Sequence, residues 1–79
     1  MVNLFNEPLK LSEKEASLIV DYLNDILPDI YGVVDFDKYT LMGDARDALL
    51  KYDINKELPT GYNAIYLEVL IALNQMGDL

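Results

Sequence analysis

The sequence contains no cysteine, no histidine and no tryptophan. Without cysteine, disulfide bonds and thiolate metal ligands are excluded. Without histidine, the commonest general base and the commonest metal ligand are missing. The only serines are Ser12 and Ser17, and the four glycines, at positions 32, 43, 61 and 77, are too scattered for a phosphate-binding loop. We therefore expect a protein that is not an enzyme and that needs neither a metal nor a cofactor to fold.

Basic residues are also scarce, because the chain has 6 lysines and arginines against 14 acidic residues, a net charge of −8. The excess is uneven: residues 1–37 carry eight acids and two bases, and residues 38–79 carry six acids and four bases. From Glu15 through Asp37 there are six carboxylates and no base. Direct nucleic-acid binding requires the opposite sign of charge, and anionic membrane surfaces are disfavoured for the same reason.

A chain of 79 residues with a hydrophobic fraction of 52% predicts one small domain, over residues 1–79, with a real core. A core of this size typically leaves a net stability of about 3–5 kcal/mol. The longest apolar stretch, from Ala64 to Leu73, is interrupted by Glu68 and is too short to span a bilayer. The chain also lacks the basic n-region and the long apolar h-region of a signal peptide, so we expect a cytoplasmic location.

The apolar periodicity predicts an all-α fold, a small bundle of three main helices at about 12–27, 40–53 and 60–76. Ser12 and Glu15 form a capping-box pattern at the start of the first helix. Pro28 disfavours helix at Leu27, which predicts a helix end there and a turn over residues 29–32. For the last helix, Thr60 is the expected N-cap and Gly77 the expected left-handed residue after its end.

Two segments show no clear period. Residues 1–11 are expected to form an extended arm whose Leu4, Phe5 and Leu9 lie against the body. Residues 33–39 are expected to be a short irregular segment, either one helical turn or a stub of strand, because a longer second helix would place Phe36 and Tyr39 off its apolar stripe. Gly43, inside that second helix, indicates close backbone packing or a helix that begins only at residue 44.

The first candidate site is an acidic surface on the first helix and the connector after it. Its residues are Asp21, Asp25, Asp29, Tyr31, Asp35 and Asp37. Asp21 and Asp25 are four apart and repel each other on one helix face. Asp35 and Asp37 do not fit a calcium loop, since Tyr39 follows and no glycine stands at position 40, and they suit a helix N-terminus. Tyr31, beside Gly32, is the tyrosine for which we most expect exposure.

The second candidate site is on the last helix. Its expected core face consists of Ile65, Tyr66, Val69, Leu70, Ala72, Leu73 and Met76. Its expected polar face consists of Asn63, Glu68, Asn74 and Gln75. Ala64, Leu67 and Ile71 fall inside the polar arc at steps of three and four, and they form a second apolar stripe. Such a helix either lies centrally in its own fold or buries one face in a second chain.

These patterns favour a non-catalytic protein–protein interaction module, a small acidic inhibitor or regulator. Its carboxylates would occupy a basic, nucleic-acid-binding site on a protein partner, where phosphates otherwise bind. The alternative is a small structural subunit that forms a homodimer or larger assembly through Ala64, Leu67 and Ile71. A minimal carboxylate enzyme is a third and weaker interpretation. An acidic face kept only for solubility would produce the same charge pattern as the first.

Overall fold

The computed structural model describes residues 7–53 and 55–78. The helices α1 (Glu13–Ile30), α2 (Phe36–Leu50) and α3 (Asn63–Met76) account for most of them, and a 3-10 turn, Thr60–Tyr62, leads into α3. Within the described ranges there is no strand. The predicted all-α bundle of three helices is therefore confirmed, although several helix ends differ from the prediction. The predicted contacts of Leu4 and Phe5 lie outside the described residues.

The start of α1 agrees with the sequence. The Ser12 hydroxyl oxygen accepts a hydrogen bond from the backbone N–H of Glu15 at 3.1 Å. In return, the backbone N–H of Ser12 donates to Glu15 Oε1 at 3.0 Å. Each side chain thus satisfies a backbone donor that the first helical turn leaves without an internal partner. The buried face of α1 consists of Ala16, Ile19, Val20, Leu23 and Leu27.

The predicted end of α1 at residue 27 is wrong, because the helix passes through Pro28 and ends at Ile30. Proline lacks one backbone donor and restricts the residue before it, which weakens the last turn. However, Leu27 is buried and Ile30 packs against the core. We infer that this packing offsets the cost of Pro28. The turn follows the helix, and Gly32 has the left-handed φ of 79° that glycine adopts readily.

The predicted bounds of α2, about 40–53, are also wrong, because it begins at Phe36 and ends at Leu50. The irregular segment is correspondingly shorter, and residues 36–39 form the first turn of α2. Phe36 is 72% exposed, so it lies off the apolar stripe without being excluded from the helix. Gly43 is well inside α2, and no atom stands within 4 Å of the place that a Cβ would take. Neither close packing nor a helix start at residue 44 therefore explains this glycine.

At the end of α3, Gly77 takes the predicted left-handed conformation with φ 80°. Its beginning differs, because Thr60 opens the 3-10 turn and provides no side-chain cap. Asn63 was expected on the polar face but is only 1% exposed. Its Nδ2 donates to the backbone oxygen of Glu7 at 2.6 Å, which ties the N-terminal arm to α3. Met76, expected in the core, is 61% exposed because it follows the last buried turn.

One core joins the three helices. Tyr66 is fully buried, and its hydroxyl donates to the backbone oxygen of Ala45 at 2.8 Å, which links α3 to α2. Burial raises the pKa of the Tyr66 hydroxyl well above its usual range, and the nearby Tyr62 adds to this shift. Leu9 packs against the core, as predicted for the arm, and Leu11 is buried in it. In the described part of the chain, no helix has the length and apolar character needed to cross a membrane.

Candidate functional site

Three of the predicted carboxylates form a row along α1. Asp21, Asp25 and Asp29 are exposed and four residues apart, so they follow one edge of the helix. The residue directly after each of them is apolar, half-buried and packed against the core; these three are Tyr22, Ile26 and Ile30. An acidic row therefore runs beside an apolar row over the last half of α1. We call Asp21, Asp25 and Asp29 the acidic row.

The other two predicted carboxylates stand at the start of α2. Asp35 occupies the N-cap position, which confirms its predicted place at a helix N-terminus, but its side chain makes no capping hydrogen bond. Asp37 lies in the first turn, where a negative charge is favourable towards the helix dipole. Both side chains are exposed. Asp37 therefore stabilises α2 slightly through the helix dipole, and the Asp35 carboxylate is left open to solvent.

Ion pairing leaves these five carboxylates uncompensated within the described ranges. The two ion pairs found there join Lys38 to Glu68 at 3.8 Å and Arg46 to Asp47 at 3.1 Å. Neither pair includes a member of the predicted acidic surface. Arg46 also donates through Nη1 to Asn24 Oδ1 at 3.2 Å, on the side of α1 that faces α2. The negative potential of the acidic row is therefore not neutralised by these pairs.

A group of apolar side chains, two exposed and two half-buried, lies at the corner between α1 and α2. Tyr31, Val34, Phe36 and Tyr39 line a cavity of about 180 Å³, and we call these four residues the aromatic patch. Tyr31 is 67% exposed, as predicted, and its ring meets that of Tyr39 edge to face with centroids 5.3 Å apart. Phe36 is 72% exposed. Asp29, Asp35 and Asp37 are near these residues in sequence, so apolar and acidic groups alternate at this corner.

The sequence did not single out Phe36 as a site residue, nor Val33, which is 77% exposed. The sequence does contain an indication for Phe36, because a residue that lies off the apolar stripe of α2 is expected to be exposed. The same position also predicts a shorter helix, and the structure shows that the helix includes Phe36. Exposed aromatic side chains next to charged ones are typical of protein-binding surfaces.

The apolar stripe of α3 is only partly exposed. Ala64 is exposed and Ile71 is 60% exposed, whereas Leu67 is half-buried. The three side chains therefore do not form a uniformly open face. The stripe lies on α3, away from the buried residues Ile65, Val69 and Leu73. The acidic row is on α1, so the two candidate sites are on different helices.

The chemistry available at the acidic row and the aromatic patch is recognition. Carboxylates accept charge-assisted hydrogen bonds from lysine and arginine, and exposed tyrosine and phenylalanine rings provide apolar contact area. Among residues 7–53 and 55–78, no three acidic side chains are grouped closely enough to hold a metal ion. Comparisons with protein-family models, with curated proteins and with solved structures find no match to this chain. Function is therefore inferred from the residues of the site.

Proposed function

We propose that this protein is a non-catalytic protein–protein interaction module, a small acidic inhibitor or regulator. Its acidic surface engages a basic, nucleic-acid-binding site on a protein partner. The observation that carries this proposal is the exposure of all five predicted carboxylates, with none of the five in an ion pair among the described residues. Three of them, Asp29, Asp35 and Asp37, are close in sequence to the aromatic patch. We place this activity in the cytoplasm, in keeping with a chain that has no cysteine.

The two kinds of residue contribute differently to binding. A desolvated aromatic anchor supplies most of the affinity at a typical interface, and Tyr31 and Phe36 are suited to that role. Charges at the rim mainly steer the encounter and select the partner, and the acidic row is suited to that role. A basic site that binds phosphates offers lysine and arginine groups that carboxylates can satisfy equally well.

The charge pattern also has a cost that supports a role in binding. Asp21 and Asp25 repel each other on α1, and the described ion pairs bring no cation to them. Solubility alone requires net charge but not like charges placed four residues apart without a base between them. Removal of these two charges is therefore expected to weaken binding without weakening the fold.

The test uses the partner captured from the native host with the intact chain as bait. Its association with the wild type and with the Asp21→Asn/Asp25→Asn variant is measured by surface plasmon resonance at low and at moderate salt. We expect slower association of the wild type at higher salt, and about tenfold weaker binding of the variant at low salt. The control is Asp44→Asn/Glu57→Gln, which removes two exposed charges elsewhere and should have a smaller effect. Equal affinity of all three proteins at both salt concentrations would refute the proposal.

Self-association through the apolar stripe of α3 is the second candidate, and the exposure of Ala64 and Ile71 favours it. A size measurement in solution separates the two functions, because only self-association requires an oligomer. In that case Ile71→Asp would convert the oligomer to a monomer and change the stability of the monomer itself by only about 0.5 kcal/mol. Leu67→Asp would be less selective, since Leu67 is half-buried and its replacement would place a charge against apolar neighbours.

A further inference from the structure

The seam between α1 and α3 is open at two adjacent places. One cavity of about 120 Å³ is lined by Leu18, Tyr22, Leu73 and Met76, together with Asp21, Asp25 and Asp78. The next, of about 100 Å³, is lined by Tyr22, Ile26, Ile65, Val69 and Ala72, together with Met42 and Glu68. Tyr22 belongs to both, so the two cavities follow one another along a single groove. We call it the α1–α3 groove.

The floor of this groove on the α1 side is a ladder of apolar residues. Leu18, Tyr22 and Ile26 are four residues apart, half-buried and packed against the core. Because such residues are neighbours on a helix surface, they form a continuous apolar strip about 12 Å long, at 1.5 Å of rise per residue. The fold thus supports these side chains from below and leaves their outer surface open.

The rim of the α1–α3 groove is acidic on both walls. On the α1 wall the carboxylates are those of Asp21 and Asp25. On the α3 wall they are those of Glu68, within α3, and of Asp78, two residues after its end. No lysine or arginine of the described ranges lines either cavity. Lys38 reaches Glu68 only at 3.8 Å, and both side chains are substantially exposed, so this pair is easily exchanged for another.

We infer that the α1–α3 groove binds a basic amphipathic helix of the partner protein. Such a helix presents apolar side chains at steps of three and four residues, which suits two adjacent apolar cavities. Lysine and arginine on both flanks of the helix meet carboxylates on both walls of the groove. This inference rests on the proposed function and specifies the class of segment that the acidic row recognises.

Other occupants fit less well. In a symmetric dimer the same patch meets itself, so Asp21, Asp25 and Asp78 would face like charges. An anionic membrane surface is repelled by the same carboxylates. Each cavity is smaller than the roughly 300 Å³ at which small-molecule pockets begin. A basic amphipathic helix matches both the apolar floor and the acidic rim of the α1–α3 groove.

A second depression beside α1 provides the matched control. It lies between α1 and α2, has a volume of about 470 Å³, and is lined by Glu13, Ala16, Ser17, Val20, Asp21, Leu49, Leu50 and Tyr52. Its acidic residues come only from α1. Leu50 there is 63% exposed and Met76 in the α1–α3 groove is 61% exposed. Each is the last residue of its helix, so Met76→Gln and Leu50→Gln make the same kind of change at equivalent places.

The probe is a labelled synthetic peptide with leucine at helical steps of three and four and lysine on both flanks. A second peptide has the same composition in scrambled order. Binding to the intact chain is followed by fluorescence anisotropy, and circular dichroism checks that each variant is folded. We expect the amphipathic peptide to bind about tenfold more tightly than the scrambled one, and Met76→Gln to remove most of this difference. Leu50→Gln should leave it unchanged.

The outcomes separate the groove from the acidic surface as a whole. Equal binding of the two peptides, or equal effects of Met76→Gln and Leu50→Gln, would overturn the α1–α3 groove as the docking site. If binding still weakened with salt and with Asp21→Asn/Asp25→Asn, the proposed function would stand without the groove. Loss of the salt and aspartate dependence would overturn the proposed function as well. The result that supports the inference is a preference for the amphipathic peptide that is sensitive to Met76→Gln and insensitive to Leu50→Gln.

Discussion

The two edges of α1 differ in what the neighbouring helix adds to them. Towards α2, Arg46 donates to Asn24, and Tyr52, beyond the end of α2, donates through its hydroxyl to the backbone oxygen of Leu11 at 3.0 Å. Towards α3, the apolar ladder of α1 remains half-open and the rim contains only carboxylates. α1 also packs more extensively on α2 than on α3. One edge of α1 therefore serves mainly the fold, and the other keeps surface that a partner can bury.

This difference follows from helix periodicity. An α-helix advances 100° per residue, so Val20, Asp21 and Tyr22 point towards α2, towards solvent and towards α3 in turn. Asp21 lines the depressions on both sides because it stands on the ridge between them. A single helix can thus supply a buried face, a polar ridge and one side of an open groove.

Core truncation in α2 should destabilise the protein far more than truncation at the open end of α3. Leu49 is 5% exposed on the face of α2 that α1 covers. Leu49→Ala should lower the free energy of unfolding by about 2–5 kcal/mol, because it leaves a cavity in a packed core. Met76→Ala should change it by no more than about 0.5 kcal/mol. Urea unfolding of both variants measures this, and similar losses would erase the contrast between the two edges.

The next effect concerns how α3 is held to α2. The pKa of the Tyr66 hydroxyl is raised above its ordinary value of 10.0, chiefly by burial. The folded state therefore keeps this proton where the unfolded state loses it, so its contribution is complete below pH 10 and declines as the pH rises further. Tyr66→Phe should cost about 1 kcal/mol at neutral pH and show a smaller loss of stability above pH 10. Unfolding curves at both pH values test this, and parallel pH profiles for the two proteins would contradict it.

A smaller effect tests whether α2 has free space at its glycine. Nothing stands within 4 Å of a Cβ built on Gly43, and its backbone is helical. Gly43→Ala should therefore raise the stability by about 1 kcal/mol, since alanine loses less backbone entropy in a helix. Thermal melts by circular dichroism give the answer. A lower melting temperature would show that the residue is needed for contacts with a neighbour.

The smallest effect concerns the acidic row in the free protein. Asp21→Asn/Asp25→Asn removes a like-charge pair at a spacing of four, which costs an exposed helix about 0.2–0.5 kcal/mol. The variant should therefore be as stable as the wild type or slightly more stable at low salt. Melts at low and high salt measure the difference, which should shrink as salt screens the repulsion. A clear loss of stability would mean that these carboxylates serve the fold rather than a partner.

The features that the sequence predicted correctly are local. The capping box of Ser12 and Glu15 spans four residues, and Gly77 ends α3 through its own backbone conformation. The incorrect predictions concern features that depend on packing between residues far apart in the sequence. Pro28 alone predicts a helix end, whereas Leu27 and Ile30 pack against the core and the helix continues. The buried Asn63 bonds to Glu7, which is 56 residues away.

The same distinction applies to the site. The charge pattern and the turn at Gly32 are visible in the sequence, so the acidic surface and the exposure of Tyr31 could be predicted. The α1–α3 groove could not, because it depends on which face of α3 meets Tyr22 and Ile26. Met76 shows the difficulty most directly: its helical position suggested core, and the bundle ends before its side chain is covered.

We propose that the partner is recognised on the α3 side of α1. The most direct measurement is a nuclear magnetic resonance titration of the isotope-labelled chain with the captured partner or the amphipathic peptide. We expect the largest amide shifts at Tyr22, Ile26, Ala72 and Met76 with either ligand. With the captured partner, Tyr31 and Phe36 should shift as well, whereas Val20 and Leu49 should change little. Shifts concentrated at Val20, Leu49 and Leu50, or spread evenly over all three helices, would contradict it.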